Sequence, residues 1–146
     1  MGINADFAGR SFPSGPSYRV GRESVREFAA AVGATDPVHY DVEVARAAGF
    51  ADVIATPTYA VVVAQQAAKE AYRDPSAGID FSRALHGEQR FVHHSPLVAG
   101  ADVVPTLHIE DVRQVGRNSI MTTRVELATP QGEPLCTAYS TLVIRG

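Results

Sequence analysis

The 146-residue sequence contains no tryptophan and a single cysteine, and Lys69 is its only lysine. With Cys136 alone, no disulfide can close within the chain, and a cysteine-rich zinc site is excluded. A basic face is missing too. Thirteen Lys+Arg stand against sixteen Asp+Glu, a net charge of −3. They divide 7 to 8 over the first 73 residues and 6 to 8 over the rest, so neither half is basic. Nucleic-acid binding depends on such a face and is set aside. The opening MGINADFAGRSF lacks the basic-then-apolar order of a secretory signal. The longest apolar stretch, Tyr59 to Ala64, falls far short of the ~20 residues that span a bilayer. These absences predict a cytoplasmic protein that neither binds nor crosses a membrane.

Several catalytic motifs are absent as well. The chain has no G-x-S-x-G, no G-x-G-x-x-G and no G-x-x-x-x-G-K-[ST]. Its five histidines are scattered without the H-x-x-x-H spacing of a helix-borne metal pair. No metal and no cofactor are expected.

What the sequence does contain is patterning. Val25, Phe28, Ala29 and Val32 repeat at helical spacing, with Glu23 in the first turn and Gly33 as a stop. A short strand near Tyr18 to Val20 precedes this helix. ATDPVHYD, Ala34 to Asp41, reads as a tight loop in which Asp36 bonds nearby backbone and Asp41 caps a short helix, Val42 to Ala48. The longest helix is predicted from Pro57 to about Arg73, apolar on every side over TYAVVVA and therefore buried. Strands follow at about Ala84–His93, Asp102–Val115, Ser119–Ala128 and Leu135–Ile144, with strict alternation in Met121, Thr123, Val125 and Leu127. Long strands joined by tight turns form a strongly curved antiparallel sheet. The fold class is therefore α+β. A long central helix wrapped by one curved antiparallel sheet is the hot-dog arrangement, with residues 1–146 as one domain.

Three segments carry a family resemblance. VGATDPVHYDVEVARAAGFADVIA (Val32 to Ala55), LHGEQRFVHHSPL (Leu85 to Leu97) and YSTLVI (Tyr139 to Ile144) resemble the MaoC-like hot-dog proteins, specifically the N-terminal, FAS1-like dehydratase branch. The HGEQ-F-x-x-H-x-P-L strand is the most specific match, and the likeness runs from about Tyr18 to Arg145. It implies (3R)-hydroxyacyl-thioester dehydration, or hydration of a trans-2-enoyl thioester of CoA or acyl carrier protein. Catalytically complete members read G-D-x-N-P-x-H in the loop, where Asp and His act as acid and base. A backbone N–H at the start of the central helix holds the thioester oxygen.

Set against that motif, Gly33, Pro37 and His39 match, but Ala34 stands at the catalytic Asp position and Asp36 at the Asn position. Pro57 replaces the Gly at the helix start and has no N–H to offer an oxyanion. The resemblance therefore implies one hot-dog of a divided enzyme, paired with a dyad-bearing subunit. Uncovered strand edges favour a homodimer or heterodimer on physical grounds. His39, with Asp36 beside it in sequence, is the candidate for acid–base chemistry. Pro57, Thr58, Tyr59, His86 and Glu88 are the candidate substrate contacts, with alternation setting His86 and Glu88 on one face of their strand and Gln89 on the other. Two alternatives stand beside the divided enzyme. One is a non-catalytic acyl-binding or scaffold protein, and the other is a self-sufficient homodimeric hydratase using His39 and Asp36. A thioesterase is disfavoured because the only carboxylate in the long helix, Glu70, lies near its far end.

Overall fold

The computed structural model describes residues 2–146. A two-residue strand β1 (Tyr18–Arg19) leads into helix α1 (Arg22–Ala31) and short helix α2 (Val42–Ala47). Helix α3 (Ala60–Arg73) follows, then strands β2 (Ala84–His93), β3 (Asp102–Val115), β4 (Asn118–Ala128) and β5 (Pro134–Ile144). The strands form one antiparallel sheet in the order β1-β3-β4-β5-β2. β3, β4 and β5 are a meander, and β2 reaches back to pair with β5 and end the sheet.

Local rules account for the helix ends. Gly33 adopts φ +73, and the Ala34 N–H bonds the Ala29 carbonyl, so α1 closes where glycine supplies the left-handed residue. The Asp41 carboxylate caps α2 by accepting from the N–H groups of Glu43 and Val44.

The predicted long helix needs correction. It begins at Ala60 rather than Pro57, because Pro57 to Tyr59 form a turn closed by i→i+3 bonds such as Tyr59 N–H to Thr56 O. α3 is 14 residues long. Nor is it covered all round. Tyr59, Ala60, Val63, Ala64, Ala68 and Ala71 are buried, whereas Gln65, Gln66 and Lys69 are exposed and Val61 and Val62 are half-buried. The alanines let the sheet approach the helix closely. One side of α3 lies in the concave sheet against Val103, Leu107, Val125, Leu127, Cys136 and Ala138. The sheet cradles the helix along one side.

A second, smaller cluster joins Ile3 and Phe7 to Ile109, Met121 and Ile144, tying the N-terminal segment to the far end of the sheet. Buried Cys136 sits in the main core, and burial pushes its thiol up to about 11. No described helix is long and apolar enough to cross a membrane.

Candidate active site

The loop Pro37–His39 is one turn of 3-10 helix. Asp36 caps it, its Oδ1 accepting from Val38 N–H at 3.0 Å. That turn carries the His39 ring toward the strand-like segment before α3, where Nδ1 lies 2.7 Å from the Ile54 carbonyl oxygen. A carbonyl has no proton to give, so Nδ1–H is the donor. The neutral ring then keeps its lone pair on Nε2, the form that can accept a proton.

The segment holding Ile54 is fixed from both sides. Its N–H bonds Val38 O at 3.2 Å, and the next N–H, of Ala55, bonds Leu97 O at 2.8 Å. These bonds bring the first loop, the entrance to α3 and the end of β2 around one open cleft of about 480 Å³. Asp36, His39, Thr56, Pro57, His93 and His94 are among its lining residues.

The sequence candidates therefore separate. His39, Asp36 and Pro57 meet at the cleft. Thr58 is exposed in the turn just before α3 and lies outside the cleft lining. Its N–H makes no hydrogen bond among the described residues. Tyr59 is fully buried in the core, its hydroxyl bonded to Tyr18 Oη at 2.8 Å and Ser24 Oγ at 2.9 Å, and burial pushes the phenol up to about 12.

His86 lies elsewhere, in an apolar groove of about 280 Å³ between α3 and the sheet. There Ser140 Oγ donates to Gln89 Oε1 and meets His86 Nε2, both at 3.0 Å. A register shift between His86 and Glu88 places His86 and Gln89 on one face and turns Glu88 to the other. This overturns the alternation read from sequence. An added residue at Gly87, where a Cβ would press on Val143 at 3.2 Å, resets the pattern. Glu88 is exposed and shares the outer face with Arg90, whose guanidinium lies 4.0 Å over the Tyr139 ring.

Three cleft residues were missed by the sequence reading. His93 and His94, neighbours that a continued strand would send to opposite faces, both line the cleft, because β2 ends at His93 and the backbone turns. The N–H groups of His94 and Ser95 both bond the Leu135 carbonyl there. Thr56 was not singled out; its position between Ala55 and Pro57 at the mouth of a helix was the available signal. Among the described residues, no three His, Cys, Asp or Glu side chains are grouped to hold a metal ion. Chemically, the cleft offers one oriented proton acceptor at the mouth of a helix. Among the described residues the only carboxylate lining it, that of Asp36, is engaged as a cap.

Comparison with known proteins agrees with this architecture. The UPF0336 protein of Saccharopolyspora erythraea is 46% identical over 146 residues, covering 100% of this chain and 94% of that one. The crystal structure of the C-terminally truncated HadBC (3R-hydroxyacyl-ACP dehydratase) complex from Mycobacterium tuberculosis matches with TM-score 0.85 and 29% identity, over 94% of this chain and 97% of that one. A MaoC-like dehydratase also matches with TM-score 0.85, at 27% identity, over 95% of this chain and 42% of its own length. The family described as FAS1-like, dehydratase domain region, matches residues 6–138. On the hot-dog sheet, the cradled helix and this match together, the chain belongs to the FAS1-like dehydratase family of MaoC-like hot-dog proteins.

Proposed function

We propose that this chain, acting over residues 1–146 as one hot-dog unit, is one half of a two-chain (3R)-hydroxyacyl-thioester dehydratase. In reverse the same assembly hydrates trans-2-enoyl thioesters of CoA or acyl carrier protein. The carrying observation is the incomplete cleft. His39 keeps a proton-accepting Nε2, yet Ala34 cannot move a proton, Asp36 is engaged as a cap, and Pro57 has no N–H for an oxyanion. A second dyad-bearing hot-dog supplies what is missing.

One physical feature supports a partner. Among the described residues β2 pairs only with β5 and leaves a ten-residue edge open, with Leu85 and Val92 exposed along it. The similar HadBC structure is itself a two-component (3R)-hydroxyacyl-ACP dehydratase.

The test is to co-express the chain with a hot-dog subunit carrying an intact G-D-x-N-P-x-H loop and to assay hydration of a trans-2-enoyl thioester. The pair should outpace the partner alone. Equal rates would sink the reading.

The apolar grooves flanking α3, about 330 and 280 Å³, favour a second reading, a purely acyl-binding role. On that reading His39→Ala leaves function intact, while a bulky residue at Val61, which lines the smaller groove, abolishes acyl binding.

A further inference from the structure

Away from the cleft, three chemically active side chains meet on the outer face of the sheet. The segment before β1 runs antiparallel to β3, with Phe12 N–H bonding Leu107 O at 2.9 Å and Ile109 N–H bonding Arg10 O at 2.8 Å. Between those bonds Ser11 and His108 face each other as a bridge pair. Such a non-hydrogen-bonded pair brings its side chains close together. Leu107, Ile109, Val125 and Leu127 point into the core, so alternation sends His108 and Glu126 outward. Ser11 Oγ lies 2.7 Å from His108 Nδ1, and Glu126 Oε2 lies 3.4 Å from His108 Nε2.

Charge fixes the protons. A carboxylate beside Nε2 favours the tautomer protonated there, so Nδ1 keeps its lone pair and accepts the Ser11 O–H. Nε2 is buried and has no hydrogen-bond partner among the described residues, which leaves its N–H facing Glu126 just beyond bonding distance. Contacts of this kind tighten once the ring becomes charged. Arg124 grips both Glu126 and Glu110 and holds the carboxylate in place. Ser11 is exposed, so a reagent reaches it from solvent without entering a cavity. Its N–H makes no hydrogen bond among the described residues and, in this kind of pair, points away from β3. A clasp for the N-terminal segment would need only the Ser11–His108 contact. A nucleophile bonded to a base that a third group orients is the arrangement of an activated serine.

We infer that Ser11 and His108 are the nucleophile and general base of a second reactive site, positioned by Glu126, that hydrolyses short-chain acyl esters with good leaving groups. None of the three cavities described above is lined by Ser11, so no long acyl chain is received beside it. The Ser11 N–H is a single oxyanion donor, which restricts the reaction to leaving groups that depart readily. Ser11 Oγ bonds the acyl carbon as its proton passes to His108 Nδ1, and the imidazolium faces Glu126. The bond from acyl carbon to leaving oxygen then breaks, and Nδ1 returns the proton to that oxygen. Water repeats the sequence on acyl-Ser11, releasing the carboxylic acid and the free hydroxyl.

The experiment mixes the full chain with p-nitrophenyl acetate in stopped flow and maps the acetyl group by mass spectrometry after an acid quench. The wild type should release p-nitrophenol in a burst approaching one equivalent per chain, with the acetyl group on Ser11. Ser11→Ala should lose the burst, and His108→Gln should slow it about a hundredfold. Glu126→Gln should slow it more than about tenfold without moving the half-saturating ester concentration. In the co-expressed pair, Ser11→Ala should leave enoyl-thioester hydration unchanged, since the site stands apart from the His39 cleft.

No burst in the wild type, an acetyl group carried only by Lys69, the N-terminus or another residue, or a full-rate burst in Ser11→Ala or His108→Gln each overturns the inference. A full-rate burst in Glu126→Gln overturns the positioning role.

Discussion

His39 Nδ1 and the Ile54 carbonyl oxygen lie 2.7 Å apart, a bond spanning fifteen residues of sequence. It fixes one ring nitrogen as donor and leaves the other as acceptor, so structural and chemical duties fall on different atoms of one side chain. Two substitutions separate them. His39→Asn places an amide N–H near the former Nδ1 and keeps the bond while deleting Nε2. His39→Ala deletes both. In the co-expressed pair both variants should lose about a hundredfold in hydration rate if His39 moves a proton. His39→Ala should also lose about 1 kcal/mol of stability, and His39→Asn should melt close to the wild type. Full activity in His39→Asn would assign the residue to structure alone.

Asp36 separates the divided enzyme from the self-sufficient hydratase. Its Oδ1 accepts from Val38 N–H and holds the turn that presents His39. Asparagine can make the same cap with its side-chain oxygen but cannot carry a proton. Asp36→Asn should therefore keep the pair's hydration rate within about threefold, and Asp36→Ala should cost about 1 kcal/mol of stability by removing the cap. Loss of activity in Asp36→Asn, with its melting temperature unchanged, would restore Asp36 as the proton-moving carboxylate.

Strand positions were legible because alternation is a local property. β2 and β3 fall at Ala84–His93 and Asp102–Val115, the spans read from sequence. The faces of β2 were not legible, since the register shift at Gly87 is a property of the pairing with β5, a strand far away in sequence. Tyr59 reads as a ligand contact until its bonds to Tyr18 and Ser24, 41 and 35 residues away, bury it. Burial of α3 was overread for a related reason. An all-apolar first half looks enclosed, but Val61 faces a flank that the sheet leaves open as a groove, and Val62 is only half-buried. The loop motif pointed to His39, whereas Thr56 had only its place before Pro57 to mark it, and its burial comes from packing between distant segments.

The Arg22–Asp52 pair ties the start of α1 to the segment that leads into the cleft. Arg22 Nε and Nη2 grip the two carboxylate oxygens at 3.0 and 2.6 Å. The guanidinium, with help from Val53 N–H, holds the Asp52 carboxyl below its ordinary value. A carboxylate lowered in the folded state adds stability above its unfolded pKa and loses it as pH falls through the folded value. Arg22→Gln should therefore melt below wild type at pH 7, with the gap closing as the solution is taken below the usual carboxylate range. A gap of the same size at pH 7 and pH 2 would show that the contact acts through packing.

The open edge of β2 gives the most direct check on partnership. Leu85 is 50% exposed and Val92 is 39% exposed, on a strand with one free side. An edge of this length invites pairing unless charge blocks it, and Lys is the residue that natural edges use for that purpose. A Leu85→Lys, Val92→Lys double variant changes only exposed positions. Each substitution should therefore alter the stability of the isolated chain by no more than about 0.5 kcal/mol. In sedimentation velocity with the dyad-bearing partner, the wild-type chain should run as a complex and the double variant as separate chains. Hydration should fall to the partner's own rate in the same variant. A complex that survives both lysines would move the interface off this edge, leaving the exposed flank of α3, with Gln65, Gln66 and Lys69, as the face to test next.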